Sequence, residues 1–444
     1  ILNFQGSTHH IGVGSFSNMI NIRDFGAVGD GITLDTAAVQ KALDCCKKNG
    51  GTVVVPGGKT YKIGTIQIYS NTELYLESGA VLKQSDRIED LRSISIVDKS
   101  NNETDIPSYI NCEYNGKPAH YFIYATGENI RITGYGAIDG NESIYYGTET
   151  RYHIEGAWYP RTPLLYIENV DHFTITGVTL QNSAFWTLHM VGCRDVLVDG
   201  IRILNNLKLA NCDGIDPDHC QNVRIQNCYI EAADDCIVLK TTEAEQKYGP
   251  TENVIISGCI LESTSAAIKF GTESEGDFKN IIIEDCMIRN SNRGVALQLR
   301  DKGNIENVWI RNLMIYTRNF IDQYWGNAEG IYITAIERHK GRAFGKIHNV
   351  RLENIQITGE SGVLIYGSQD GHIDGITLKD VSVDLVKNSK WPCDGYDIRP
   401  CDGDGLLKSP IYGVYMRNVN NVTMENVHSK AQEGFPYGGE IAEK

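Results

Sequence analysis

A short motif recurs along most of this chain: a polar residue, usually Asn, then Val or Ile, an alternating strand, a turn and a second strand. It appears at Asn129-Ile130, Asp195-Val196, Asn222-Val223, Asn253-Val254, Asn280-Ile281, Asn307-Val308, Asn349-Val350 and Asn421-Val422. From Asn222 to Asn307 the intervals are 31, 27 and 27 residues. A propeller blade takes ~40–45 residues, and helical repeats would not alternate. Short strands of even spacing that cannot bury a face alone must stack on their neighbours. The predicted fold is all-β, a right-handed parallel β-helix with a short N-terminal capping helix. Recurring Asn is expected to stack as an internal hydrogen-bonded ladder.

The cap is expected over Thr36 to Lys47, where apolar residues recur at helical spacing, with Asp35 as N-cap and Asn49-Gly50-Gly51 as the stop. Thr52 to Pro56 reads as a strand, and short alternating strands follow from Tyr61. Residues 1–17, rich in Gly and Ser and carrying His9-His10, resemble an expression or processing remnant. Residues 18–444 are expected to be one β-helix domain. Irregular stretches at about 92–120, 141–160, 317–348 and 386–412 break the pattern and carry Tyr145, Tyr146, Trp158, Tyr159, Tyr324 and Trp325. Loops of that length on a regular scaffold suit the walls of a cleft.

Composition narrows the partners. A formal net charge of −15 argues against nucleic acid and anionic membranes. No apolar stretch approaches the ~18 residues of a membrane span. Of the 12 cysteines, Cys220, Cys228, Cys236, Cys259 and Cys286 fall within successive repeats, as small stacked core thiols would. Cys393 and Cys401 share a Gly/Asp-rich loop and are the best disulfide candidates, whereas a bond between vicinal Cys45 and Cys46 would be strained. No zinc spacing is present. The five Trp and 23 Tyr suit an aromatic-rich surface of the kind that binds a poly- or oligosaccharide, the expected partner, and no cofactor or metal is expected. Oligomeric state and localisation stay open, an extracellular or periplasmic setting being slightly favoured over a cytoplasmic one.

Three acids carry the chemistry. Asp213 lies in Asn211-Cys212-Asp213-Gly214-Ile215-Asp216-Pro217, and Asp234-Asp235 in Ala232-Ala233-Asp234-Asp235-Cys236-Ile237. The two segments lie about one repeat apart, so coil stacking would bring the carboxylates ~4.8 Å apart along the axis. Like charges at that range push one pKa upward, and an acid beside ionised carboxylates suits glycosidic bond hydrolysis. Asp216 reads as a turn residue.

These segments resemble polygalacturonases, glycoside hydrolase family 28, from about Asn21 to about Ala431. The likeness rests on Asp24-Phe25-Gly26-Ala27-Val28-Gly29-Asp30-Gly31, on Asn182-Ser183-Ala184-Phe185-Trp186-Thr187-Leu188-His189, and above all on Asn211–Pro217 followed by Asp234–Ile237. The resemblance implies inverting hydrolysis, with Asp234 as general acid and Asp213 and Asp235 holding and deprotonating the water. Inversion would set acid and base ~6.5–9.5 Å apart. Asn211, Trp186, His189, Lys269, Glu273, Gln298, Arg300, Tyr324 and Trp325 are the expected substrate contacts. The family's Gly-His-Gly histidine and Arg-x-Lys cations fall at Ala266, Ala296 and Gln298, so the usual carboxylate clamp is missing. Lys269, Arg300 or Lys302 could replace it. A pectin-related glycan other than plain homogalacturonan, cut by an exo-acting or rhamnogalacturonan-type enzyme, follows as the expectation. The alternatives are a non-catalytic glycan-binding β-helix and an exo-polygalacturonase with a rearranged clamp. A β-helix lyase would need an Arg or Lys base and often calcium, which the acid triad argues against.

Overall fold

The computed structural model describes residues 19–94, 119–155, 157, 161–321 and 325–444. Its strands pair in parallel, coil on coil, along three columns. The column that matters for function runs through Leu188–Val191, Ile215–Asp218, Ile237–Thr241, Ala266–Ser274, Arg293–Leu299 and Ile331–Ala335. A second contains Arg194–Asp199, Gln221–Gln226, Thr251–Ser257 and Phe278–Glu284. A third contains Arg202–Leu204, Tyr229–Ala232, Ile260–Ser263 and Met287–Ser291. The fold is a parallel β-helix.

Alternation places one side chain in two inside the coil. In the first column Leu165, Leu188, Ile215, Ile237, Ile268, Val295, Ile331, Val363 and Val414 sit directly above one another. All nine are buried, and the stack forms one wall of a continuous core. Cys228, Cys259 and Cys286 are buried in that core as free thiols.

The Asn ladder exists, but on the surface. Asn222, Asn253, Asn280, Asn307 and Asn349 take φ between 56° and 57°. In this left-handed conformation, which Asn tolerates, the strand bends at a corner and the side chain faces solvent. Their amides bond rung to rung, Asn253 to Asn222 at 3.0 Å, Asn280 to Asn253 at 3.2 Å, Asn307 to Asn280 at 3.1 Å and Asn349 to Asn307 at 2.7 Å.

The cap is the amphipathic helix Thr36–Asp44, followed by a short turn of helix at Cys46–Asn49. Asp35 stands at the N-cap position, its carbonyl accepting the Ala38 and Val39 N–H groups, but its side chain makes no capping bond. Its carboxylate turns back to accept the N–H groups of Val28 and Gly29 at 2.8 and 3.0 Å. Gln40 on the helix accepts from the Gln67 N–H at 2.8 Å and donates to the Gln67 carbonyl at 3.2 Å. One side chain thus satisfies the outer edge of the strand Ile66–Ile68, which would otherwise invite pairing.

The long insertions carry more order than their composition suggests. The strand Ile331–Ala335 belongs to the first column although it lies within the 317–348 stretch. The 386–412 stretch folds as an antiparallel hairpin, Gly395–Asp397 with Leu406–Lys408. Cys393 precedes its first arm and Cys401 lies in its connection, at opposite ends of the hairpin. Both are free, so the expected disulfide is not made. Tyr145 is a core residue, its hydroxyl accepting from Gln84 at 3.1 Å, rather than part of a cleft wall. Residues 1–17, Trp158, Tyr159 and Tyr324 lie outside the described residues.

Core and corner make separable contributions. Ile268→Ala should destabilise by about 2–5 kcal/mol, since the stacked coils cannot close the cavity. Asn280→Ala should cost about 1–2 kcal/mol through its left-handed backbone, and Asn280→Gly clearly less. Urea denaturation of the three variants measures this. Equal losses for Ala and Gly at position 280 would assign the stability to the ladder bonds instead.

Candidate active site

Coil stacking assembles the acids. The Thr187 N–H donates to the Asp213 carbonyl and the Gly214 N–H to the Asp235 carbonyl, each at 2.9 Å, so three successive coils align at this corner. Gly214 is required by close approach: a Cβ there would lie 2.3 Å from the Cys236 carbonyl oxygen. One oxygen from each of Asp213, Asp234 and Asp235 lies within 4.8 Å of the others. That is tighter than the separation expected of an inverting pair, so spacing gives inversion no independent support. Three cation ligands would show the same spacing, but lysines already stand against two of these carboxylates.

Each acid is held differently. Asp235 accepts from the Ser265 hydroxyl at 3.0 Å, the Ala266 N–H at 3.1 Å and the Lys269 ammonium at 2.9 Å. Asp234 accepts the Asn211 N–H at 3.1 Å and, at 9% exposure, is more open than Asp213 at 2% or Asp235 at 1%. Asn211 is steadied by the buried Arg161, which donates to its Oδ1 at 2.8 Å. Burial, then Asp216 and Asp234, push the Asp213 carboxyl well above the usual carboxylate range, with Lys240 pulling the other way.

Behind the triad lies a buried charge network. Asp216 is on the strand Ile215–Asp218, fully buried, not in a turn. Burial pushes its carboxyl up to about 8, against the pull of Lys240. The Lys240 ammonium stands 3.7 Å from Asp213 Oδ2, 3.6 Å from Asp216 Oδ1 and 4.2 Å from the centre of the Trp186 ring. Burial would lower its pKa, yet Asp213 and Asp216 raise it. Trp186 stacks on Phe185 at 5.1 Å and meets His189 edge-on at 4.8 Å.

The three acids, Lys240 and Trp186 line a groove of about 480 Å³ on the outer face of the first column. Of the expected contacts, Trp186, Asn211, Lys269, Glu273, Gln298 and Trp325 line it. His189 does not. It is fully buried behind Trp186, 3.4 Å from Asp218, and burial keeps its imidazole below the ordinary value. Arg300 is also fully buried, donating to the Ile398, Arg399 and Pro400 carbonyls of the hairpin and to Tyr332 and Thr334. Lys302 is 58% exposed and pairs with Glu275 at 3.5 Å. Neither lines the groove, whereas Lys269 does.

The sequence reading missed most of the far wall: Lys240, Arg293, Arg338, Arg342, Glu243, Glu275 and Asp301 also line the groove. Arg338 grips Asp301 through two bonds of 3.0 and 2.7 Å, and Arg342 pairs with Glu275 at 2.5 Å. Arg293 pairs with Glu329 at 3.0 Å. Lys240 had a local signal, a lysine in the apolar run Ile237-Val238-Leu239-Lys240 just after the acid pair. Arg338 and Arg342 had none, because a return loop delivers them.

Residues 45–401 match the family model described as Glycosyl hydrolases family 28, and the chain belongs to that family. It is 34% identical over 268 residues to a probable polygalacturonase of Vitis vinifera, covering 57% of this chain and 51% of that protein. It is 25% identical over 294 residues to an exo-poly-alpha-D-galacturonosidase of Dickeya chrysanthemi, covering 58% and 48%. The chain thus spans about half the length of these curated relatives. A hyperthermoactive exopolygalacturonase from Thermotoga maritima superposes with a TM-score of 0.67 at 22% identity, over 83% of this chain and 87% of that one, and so shares the fold.

The raised Asp216 has a consequence for stability. A carboxyl whose pKa rises on folding favours the native state at low pH and loses that contribution as pH climbs through the folded value. Between about pH 4 and pH 8 the melting temperature of Asp216→Asn should therefore fall less than that of the wild type. Parallel curves from thermal melts across this range would show that Asp216 is ionised in the native state.

Proposed function

We propose that this chain is an exo-acting glycoside hydrolase of pectic chains. The observation that carries exo action is the hairpin Gly395–Asp397 with Leu406–Lys408. Its connection packs onto the outer face of Arg293–Leu299 and takes hydrogen bonds from Gln298 and Arg300. Pro400 and Trp325 stand at that end of the groove. Ile237 pairs with Ile268 and Ile268 with Val295, so the closure falls two coils past the acid pair. Two coils are ~10 Å, room for a chain end but not for a polymer running through.

Asp234, the most open acid, donates the proton to the leaving oxygen. Asp213 and Asp235 hold the water, and Asp213 takes its proton. Lys269 and the Ser265 and Ala266 donors already occupy Asp235, which leaves it to orient the water rather than accept its proton. Inversion is proposed from the resemblance to family 28 and is read by following the anomer first released.

The terminal sugar is proposed to be a uronate. The expected clamp positions supply no cation, but Lys269, Arg338 and Arg342 line the same groove and remain partly exposed. The relatives named as exo-acting on galacturonan favour the same reading. The pairing of each cation with an acid favours a second reading, a neutral terminal sugar on a rhamnogalacturonan-type chain. Incubation with polygalacturonate, rhamnogalacturonan fragments and neutral aryl α-glycosides, with products separated by chromatography, decides among them. Early accumulation of galacturonate monomer supports the proposal. Mid-chain oligomers would refute exo action, and no cleavage of any member would leave a glycan-binding β-helix.

Asp234→Asn should lower turnover by at least ~10²-fold with melting unchanged, because an amide cannot donate the proton. Retention of more than a tenth of wild-type turnover would remove Asp234 from the acid role. Trp325, 43% exposed beside Arg399, should act as a sugar platform. Trp325→Ala is expected to raise KM several-fold with Tm nearly constant. Lost Tm at constant KM would make it a packing residue.

A further inference from the structure

Four carboxylates, Asp213, Asp216, Asp234 and Asp235, share this corner with two lysines, Lys240 and Lys269. Lys269 is committed to Asp235 at 2.9 Å. Lys240 is shared. Its ammonium lies almost midway between Asp213 and Asp216, at 3.7 and 3.6 Å, and is 9% exposed. Trp186 covers it from the groove side at 4.2 Å. Asp216 is sealed from solvent, and neither of its side-chain oxygens accepts a hydrogen bond from the protein. Two positions further along the same strand, Asp218 is served quite differently. It accepts from the Thr242 N–H at 3.0 Å and hydroxyl at 2.8 Å, faces His189 at 3.4 Å and lies 3.8 Å from His219.

Two buried carboxylates flanking one ammonium carry a net charge of −1 when both are ionised, and a single proton restores neutrality. Asp213 Oδ1 likewise has no protein donor, and burial, Asp216 and Asp234 push its carboxyl up too. Asp213 lines the groove, however, where water can serve its anion, whereas an ionised Asp216 would be sealed away without donors. Asp216 is therefore the better place for that proton, leaving the charge on Asp213.

We propose that Lys240 and Asp216 are positioning residues that together fix the charge on Asp213: Asp216 carries the proton, Lys240 the compensating cation, and Asp213 remains the anion that accepts a proton from water. Asp216 touches neither substrate nor water, and acts only through Lys240. The inference rests on the hydrolytic reading above but has a readout of its own.

The two residues should differ in effect. Asp216→Asn keeps the uncharged group that the proton makes of Asp216, so Asp213 should ionise at nearly the wild-type pH and the acidic limb of kcat/KM should stay in place. Lys240→Met removes the counter-charge, so that limb should move up, with kcat falling at least ~10-fold and KM changing little. A lost charge partner at this range commonly moves a carboxyl by ~1–3 pH units. Lys240→Arg keeps the cation and should restore the limb in part. Titration of protein labelled with ¹³C at aspartate carboxyls, with Asp213→Asn identifying the signal, follows Asp213 without any substrate. It separates failure of this inference from failure of the hydrolytic one. An Asp213 midpoint that lies below that of Asp216 in the wild type and rises in Lys240→Met supports the proposal. An Asp213 midpoint above that of Asp216, or a clear fall of the Asp213 midpoint in Asp216→Asn, which requires an ionised Asp216, overturns it, and these two readings decide should Lys240→Met not fold.

Discussion

Parallel backbone hydrogen bonding between coils is the constraint from which the rest follows. It sets a rise of ~4.8 Å per coil and makes residues one repeat apart into neighbours. Asp213 and Asp235 meet because the Gly214 N–H donates to the Asp235 carbonyl, not because their side chains attract. The same bonds stack Ile215, Ile237 and Ile268 beneath them, so the face that buries the core also presents the acids. A backbone that dictates position can hold like charges together, and their mutual repulsion is offset by the core below.

The corner then has to balance its charge. Lys269 is pinned to one acid and Lys240 is divided between two, while Asp216 lies out of reach of solvent. The far wall repeats the theme, with Asp301 and Glu275 answering Arg338 and Arg342. A chain of net charge −15 can approach a uronate only if its cations are gathered where the sugar lies, and five of them line this groove.

How much of this was legible depended on whether a feature repeats. The coil spacing, the inward apolar alternation and the Asn positions all recur, and each could be read from one chain. That the ladder faces outward could not, because the motif marks a corner without telling which way the corner points. The acid triad was legible through two short segments one repeat apart. Asp216 was misread because Asp-Pro usually signals a turn, whereas here Pro217 sits within a strand. His189 and Arg300 looked like groove residues from their place in strands. Trp186 covers the first and the hairpin covers the second, and both covers are long-range contacts that no local pattern announces. The insertions were visible as interruptions, but not that one hides a strand at Ile331–Ala335 or that another folds as a hairpin whose connection reaches the groove.

The surface Asn ladder has one more consequence. Successive bonded rungs are separated by 27, 27 and then 42 residues, yet the rungs still meet at 3.2, 3.1 and 2.7 Å. The additional residues of the longest interval leave the ladder's spacing untouched and are spent outside the coil. Heritable changes of length are thereby sorted by location. A residue added within a coil would misalign every rung beyond it, while one added between rungs only lengthens a wall of the groove. Such a scaffold lets the walls of the groove be remodelled by insertion and deletion, with the acid corner left in place.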